Sequence, residues 1–321
     1  MAIEYPHALE TSLSGLDWDD WLSRMDELAD ADGYAELLGD RHAAIFIENR
    51  PTLLVSFENY DTIRAISPEF QPIGWQLARA LGWSHLCLAC KGDTWFRENR
   101  VYGYFDRLVD DGFFEEFDQV IFYGAGSCGY AAAAFSVAAP GARVLTVQPQ
   151  ATLDPRITEW DHRFAYMRRT DFTTRYGFAP DMLDAASEAF VLYDPEIEMD
   201  AMHSALFTRP NVTRFRMRFM GNRLERGLIR INILLRILAQ LSAGKLNERS
   251  LAQLYRARRT DVPYLKQTLS RLEDDGRLYL TARLAQYVLG RSPGPRFRRS
   301  LRAAYERAEE LGVPMPPRDD E

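Results

Sequence analysis

The sequence predicts an α/β fold, a mostly parallel sheet covered by helices on both faces, followed by a small all-α C-terminal domain. Three observations predict it. Short apolar segments alternate with helically patterned ones from residue 43 to 241, and strand–helix–strand order with buried strands marks a parallel sheet with right-handed crossovers. One of those strands, 119–124, runs through a glycine-rich turn into an alanine-rich helix. After Ser242-Ala243-Gly244 only helical patterning remains. The expected division is a helical N-terminal lead-in over 1–40, an α/β domain over 41–242 and a basic helical domain over 243–321.

Taken in order, Trp18, Trp21, Leu22, Met25 and Leu28 recur at helical spacing. The apolar runs 43–48 and 52–57, separated by Asn49-Arg50-Pro51, read as strand, turn, strand. Further strands are expected at 85–90, 119–124, 143–148, 189–194 and 211–219. Helices are expected around 73–82, 99–111, 128–139, 180–187, 197–207 and 224–241. The tail reads as three or four amphipathic helices broken by Pro263, Gly276 and the turn at Ser292-Pro293-Gly294-Pro295.

Composition narrows the class. Of 321 residues 46% are hydrophobic and 26% charged, which is globular and neither disordered nor fibrous. No apolar run approaches the ~18 residues of a membrane span, and the N-terminus lacks the basic stretch and apolar block of a signal peptide. Three cysteines, Cys87, Cys90 and Cys128, suit a reducing compartment, so a cytoplasmic protein without a membrane partner is expected. Cys87 and Cys90 form a C-x-x-C inside an apolar strand; with no second Cys/His pair they read as core thiols and no metal site is expected. Charge is uneven: residues 1–240 carry 23 Lys and Arg against 35 Asp and Glu, whereas 241–321 carry 16 against 11. The densest basic cluster, Arg296, Arg298, Arg299 and Arg302, reads as a solvated helix start, and nucleic acid is not an expected partner.

The stretch 120–136 is the most informative. Gly124, Gly126 and Gly129 satisfy G-x-G-x-x-G, but the turn follows the third alternating strand and the next strand ends in Gln148-Pro149-Gln150 rather than an acid. No dinucleotide cofactor is expected. Ala125-Gly126-Ser127-Cys128-Gly129 instead fits a sharp strand-to-helix turn built of small residues that lifts a serine above a sheet. The words YGAGSCGYAAAAFS and VQPQATLDPR resemble the Y-G-S-S-M-G-G-Y-A-A and P-Q segments of α/β-hydrolase-like proteins, some of them bacterial and linked to polysaccharide metabolism. That resemblance implies an α/β-hydrolase fold over 43–241, with the nucleophile elbow after the third alternating strand and a catalytic acid after the fifth.

The turn motif Ala125-Gly126-Ser127-Cys128-Gly129, with Ala in the place of the first Gly, offers Ser127 as nucleophile. Aligned on Gly129-Tyr130, however, the nucleophile position falls on Gly126; either the turn re-registers to present Ser127 or the nucleophile is lost. A serine needs a histidine base oriented by a carboxylate. Asp194 stands where the acid belongs, with Asp200 next in line. The segment 220–224, where the base should lie, contains no histidine, which leaves His162 and His203 as outside candidates. Backbone amides near Asn59 and Cys128 would hold an oxyanion. Strand-end residues that would line a pocket are Glu58 and Asn59, Asp93, Trp95 and Phe96, Gln150 and Asp154, and Asp161 and Arg163, each with a competing role as a cap or turn former. Two functions stay open: a serine hydrolase or acyltransferase acting on an ester, thioester or acyl group, or a catalytically silent relative that binds a small molecule or a partner protein, with a homo-oligomer compatible with either. A nucleotide-binding protein and a sulfonucleotide reductase rank behind them; reductase chemistry needs a thiolate, and no cysteine follows Cys128.

Overall fold

The computed structural model describes residues 11–317 apart from 31 and 50; residues 1–10, read above for a leader, and 318–321 lie outside them. The chain forms two compact units, Met1–Gln253 and Leu254–Glu321.

The first unit is built on one eight-stranded sheet. Its strands are β1 (Gly33–Leu37), β2 (His42–Ile47), β3 (Thr52–Asn59), β4 (Ser84–Cys90), β5 (Gln119–Ala125), β6 (Arg143–Val147), β7 (Glu188–Tyr193) and β8 (Val212–Arg216), in the order β1-β2-β4-β3-β5-β6-β7-β8. β2 is antiparallel to β1 and β4, and every pairing from β4 through β8 is parallel. Although β2 and β3 are neighbours in sequence, β4 lies between them, pairing antiparallel with β2 and parallel with β3.

Strand alternation sorts the core. Ala43, Ile45, Ile47, Cys87 and Ala89 face one layer with α1 (Trp18–Ala29), α2 (Tyr60–Ile66) and α3 (Ile73–Leu81). Ala44, Phe46, Val55, Phe57, Leu86, Leu88 and Cys90 face the other, with α4 (Asn99–Asp110) and α5 (Ser127–Phe135). The period of two thus puts Cys87 and Cys90 on opposite faces of the sheet. In α1, Asp17 caps the N-terminus by accepting from the amides of Asp19 and Asp20, and Trp18, Trp21, Met25 and Ala29 form the buried stripe. α5 is buried all round from Cys128 to Phe135, which is why its sequence is alanine-rich.

Four sequence expectations need correction. The lead-in over 1–40 is not wholly helical: its last residues form β1, a half-buried edge strand whose polar GYAEL carries no strong strand signal. The helix expected over 224–241 is two, α9 (Leu224–Arg230) and α10 (Leu234–Ser242), broken where Asn232 takes a positive φ of 55°. The helices expected around 180–187 and 197–207 are shorter, α7 (Ala179–Met182) with a 3-10 turn and α8 (Glu198–Ala205), and a one-turn helix, α6 (Pro155–Thr158), precedes them. Finally, Ser242-Ala243-Gly244 ends a helix and not the first unit. Arg143 and Gln119 donate to the carbonyl of Ser242, satisfying the helix end, and Leu246 and Leu251 beyond it are buried.

The second unit begins within α11 (Glu248–Tyr255) and packs α12 (Val262–Asp274), α13 (Leu278–Leu289) and α14 (Pro295–Leu311) around Leu265, Leu269, Ala285, Val288 and Phe297. Of its basic cluster, Arg296 pairs with Glu273 at 2.8 Å and Arg302 approaches Glu306 at 3.7 Å, while Arg298 and Arg299 are exposed. Among the described residues no helix is long and apolar enough to cross a membrane.

Candidate functional site

The carboxyl ends of β3, β5 and β6 and the loop after β4 surround a cavity of about 490 Å³, on the side of a parallel sheet where ligands are found. Each wall follows from a local backbone feature. β3 ends in Glu58-Asn59, and Asn59 caps α2: its side-chain oxygen accepts from the amides of Asp61 (2.9 Å) and Thr62 (3.3 Å), and its Nδ2 donates to the carbonyl of Gly92 at 2.9 Å. Beyond β4, Trp95 and Phe96 both have positive φ, 50° and 55°, a conformation that costs free energy in residues with a Cβ and is held by tertiary contacts. The contacts are present: Trp95 Nε1 donates to Gln150 Oε1 at 3.1 Å, its ring meets Phe164 edge-on at 4.9 Å, and Thr94 Oγ1 accepts from the Phe96 amide.

The turn after β5 forms the floor. Gly126 is its apex, with φ 59° and ψ −124°, and its amide donates to Val147 O at 2.8 Å. A Cβ built there would meet nothing within 4 Å, so the apex faces open space. Gly124 and Gly129 serve packing instead. A Cβ on Gly124 would lie 2.1 Å from Cys128 O, and one on Gly129 would lie 3.1 Å from Gly124 O. The three glycines of the G-x-G-x-x-G pattern are therefore accounted for by one bend and one close helix–strand approach. Ser127 is the first residue of α5 and stands one position past the apex. No side chain caps α5, and the first-turn amides of a helix, here those of Ser127 and Cys128, lack intrahelical acceptors.

Of the residues singled out in the sequence, Glu58, Asn59, Asp93, Trp95, Gly126, Ser127, Cys128 and Gln150 line this one cavity. Asp194, His162, His203 and Asp161 do not. Asp194 is buried and accepts from the amides of Glu196 (3.0 Å) and Gly221 (2.7 Å), tying the end of β7 to the loop after β8. His162 is exposed beside Arg168. Both ring nitrogens of His203 are engaged: Nδ1 accepts from the Ala151 amide at 3.1 Å, which leaves Nε2 to donate to Asp161 Oδ2 at 2.9 Å. Burial holds the His203 pKa below its ordinary value against the pull of Asp161. Burial would raise the Asp161 carboxyl, but hydrogen bonds from His203 and Arg163 outweigh it and hold the group low. Arg163 goes on to Asp200 at 2.6 Å, Asp200 accepts from Gln148 Nε2 at 2.6 Å, and Gln148 Oε1 accepts from the Leu224 amide at 2.8 Å. This chain of bonds braces the loop after β6 against α8 and the start of α9. Asp154 is likewise a cap, bonded to Arg156.

Like Asp61, Thr62 and Phe164, Glu225 is a lining residue that sequence reasoning missed. It immediately follows the 220–224 segment searched for a histidine, and a carboxylate there does not match the sought base. It accepts from the Tyr123 hydroxyl, and burial raises its pKa. Glu58 is the buried acid of the lining, whereas Glu225 is partly buried. Ser56 Oγ donates to it at 2.6 Å and the Ile73 amide at 3.0 Å, while His85 Nε2 reaches Ser56 Oγ at 2.8 Å. Burial pushes the Glu58 pKa up to about 7 and the His85 pKa down to about 3, so this histidine is neutral. Glu58, His85 and Cys87 place one ligand atom each within 4.8 Å of the others, but the Ser56 hydroxyl already bridges the first two, and burial raises the Cys87 thiol far from ionisation.

A pH dependence follows from Glu58. Its folded pKa of about 7 exceeds its ordinary value of 4.5, so the folded state holds the proton longer, and stability falls as pH rises from about 4.5 to 7. In Glu58→Gln that loss is expected to vanish, with the difference between the two proteins growing by about 3 kcal/mol across the window in urea unfolding at stepped pH. A constant difference would contradict the raised pKa.

No family model and no curated protein matches the chain. Among solved structures it is similar to a hyperthermophilic esterase from Pyrobaculum calidifontis, at 14% identity over 71% of this chain and 92% of that one, with a TM-score of 0.41. It is also similar to Est1E from Butyrivibrio proteoclasticus (11% identity, 65% and 98% covered, TM-score 0.38) and to a capsule O-acetyltransferase of Neisseria meningitidis serogroup A (11%, 63% and 92%, 0.37). At such identities the likeness concerns the fold alone.

Proposed function

We propose, for a chain with an α/β-hydrolase-like fold, that the strand-end cavity binds a small molecule and carries out no Ser-His-Asp hydrolysis. The observation that carries this reading is the elbow, whose apex is Gly126 and therefore bears no nucleophile. Two further observations support it. Among the described residues that line the cavity none is a histidine, and a serine hydroxyl without a base is a poor nucleophile. The histidine nearest in kind to a triad member, His203, already spends both nitrogens on Ala151 and Asp161.

The test is labelling with a fluorophosphonate probe and turnover of p-nitrophenyl acetate, wild type against Ser127→Ala. Both proteins are expected to label and turn over at the same background level. Labelling that disappears in Ser127→Ala would restore the serine-hydrolase reading, with the first-turn amides of α5 as its oxyanion donors.

A further inference from the structure

The cavity is unbalanced in charge. Glu58, Asp61, Asp93 and Glu225 line it, and among the described residues none of the lining ones is Lys, Arg or His. Asp61 and Asp93 stand at the exposed rim, but Glu58 is only 7% exposed, and its hydrogen bonds come from the Ser56 hydroxyl and the backbone amides of Ile73 and Gly74 rather than from a cation. Glu225 has a tyrosine hydroxyl as its partner. Carboxylates are seldom buried without a counter-charge, because desolvation penalises them heavily. Two that open onto one cavity can have theirs supplied from outside.

Size and walls narrow what supplies it. A bare metal ion wants several oxygen or nitrogen ligands converging within a few ångströms. Among the described residues the one group of three ligands drawn that close is Glu58, His85 and Cys87, which excludes Asp61, Asp93 and Glu225. The space, about 490 Å³, suits a small organic molecule. Phe57, Trp95 and Phe164 contribute aromatic walls; aromatic faces attract ammonium groups, and the Arg163 guanidinium, 5.1 Å from the Phe164 centroid, already uses that ring in this way. Trp95 is pre-positioned by Gln150 and Phe164, and the open apex at Gly126 leaves room beside the turn.

Resting on the reading of this cavity as a non-hydrolytic binding site, we propose that its ligand is a small organic cation, an amine or quaternary ammonium compound, whose charge is neutralised by Glu58 and Glu225 and whose body lies against Trp95 and Phe164. Calorimetric titration of the full chain tests it, with choline and benzylammonium as cationic probes, their neutral counterparts 3,3-dimethylbutan-1-ol and benzyl alcohol, and benzoate. At least one cation is expected to bind at 1:1, about tenfold or more tighter than its neutral counterpart. Glu225→Gln should remove most of that preference, Asp93→Asn at the rim a smaller part of it, and Thr62→Trp, which fills the cavity, should abolish binding.

Neutral or anionic probes that bind as well as the cations, in a manner still blocked by Thr62→Trp, would overturn the cation while leaving the binding-site reading intact. Cation binding undiminished in Glu225→Gln would overturn it too. If no probe of any charge binds, the proposal fails, whereas serine-dependent fluorophosphonate labelling is the separate result that defeats the underlying reading.

Discussion

Gly124→Ala is expected to destabilise the first unit by about 3–5 kcal/mol, a loss reserved for severe internal strain. The added methyl would lie 2.1 Å from Cys128 O, 2.5 Å from its carbonyl carbon and 2.9 Å from Gly129 N. All three are backbone atoms, so no rotamer change relieves the clash. α5 would have to lift off the sheet by more than an ångström, and α5 is buried on every side. Gly126→Ala is the contrasting substitution: its methyl meets nothing within 4 Å, so only the positive φ is penalised, at about 1–3 kcal/mol. Urea unfolding followed by tryptophan fluorescence checks both, since all six tryptophans lie before residue 161 and report on the first unit. Equal losses at the two positions would mean that the helix does not approach the strand as closely as described.

Asp161→Ala is the second large effect, expected at about 2–4 kcal/mol because it strips a buried N–H of its acceptor and a half-exposed guanidinium of its carboxylate. The carboxylate is fully buried and accepts from His203 Nε2, from the Arg163 guanidinium and from the Arg163 amide. Without it His203 keeps an unsatisfied buried N–H and Arg163 keeps only Asp200. Asp161→Asn, which preserves an acceptor for His203, should lose about half as much. The pH dependence has the usual sign for a depressed acid: the stabilisation is present above the ordinary value of 3.8 and is lost as pH falls through the lower folded value. The difference between wild type and Asp161→Asn should therefore stay level from about pH 5 to 8. A variant as stable as wild type would show that the brace carries no weight.

These two positions illustrate what could be read early. The sheet strands from β2 onward, the buried helix after the glycine turn and the strand-end location of the cavity were legible, because continuous apolar runs, a period of two and glycines at a bend are local signals. Asn59, Trp95, Gly126, Ser127, Cys128 and Gln150 meet in one cavity for the same reason, since each stands at the carboxyl end of a strand or within the few residues after it. Asp161 and His203 were noticed as polar residues near strand ends, but their partnership spans 42 positions, and nothing in a single sequence reveals which buried polar groups will satisfy one another. Glu225 escaped notice because a carboxylate in the place of an expected base looks like an ordinary surface residue until Tyr123 and the cavity wall enclose it.

What the amino-acid order alone determined was the architecture: alternation of apolar strands and amphipathic helices admits few layouts, and hydrophobic burial selects among them. What only the tertiary structure decided was which atom occupies the bend and which charges share the space above it. The register of a turn depends on where the following helix can dock, here on the approach of Gly124 to Cys128, and that contact places Gly126 rather than Ser127 at the apex. The electrostatics of the cavity depend on burial, which is a property of the assembled chain. Glu58 is one strand-end candidate among many and Glu225 an unremarkable letter until desolvation by the assembled chain raises their pKa values.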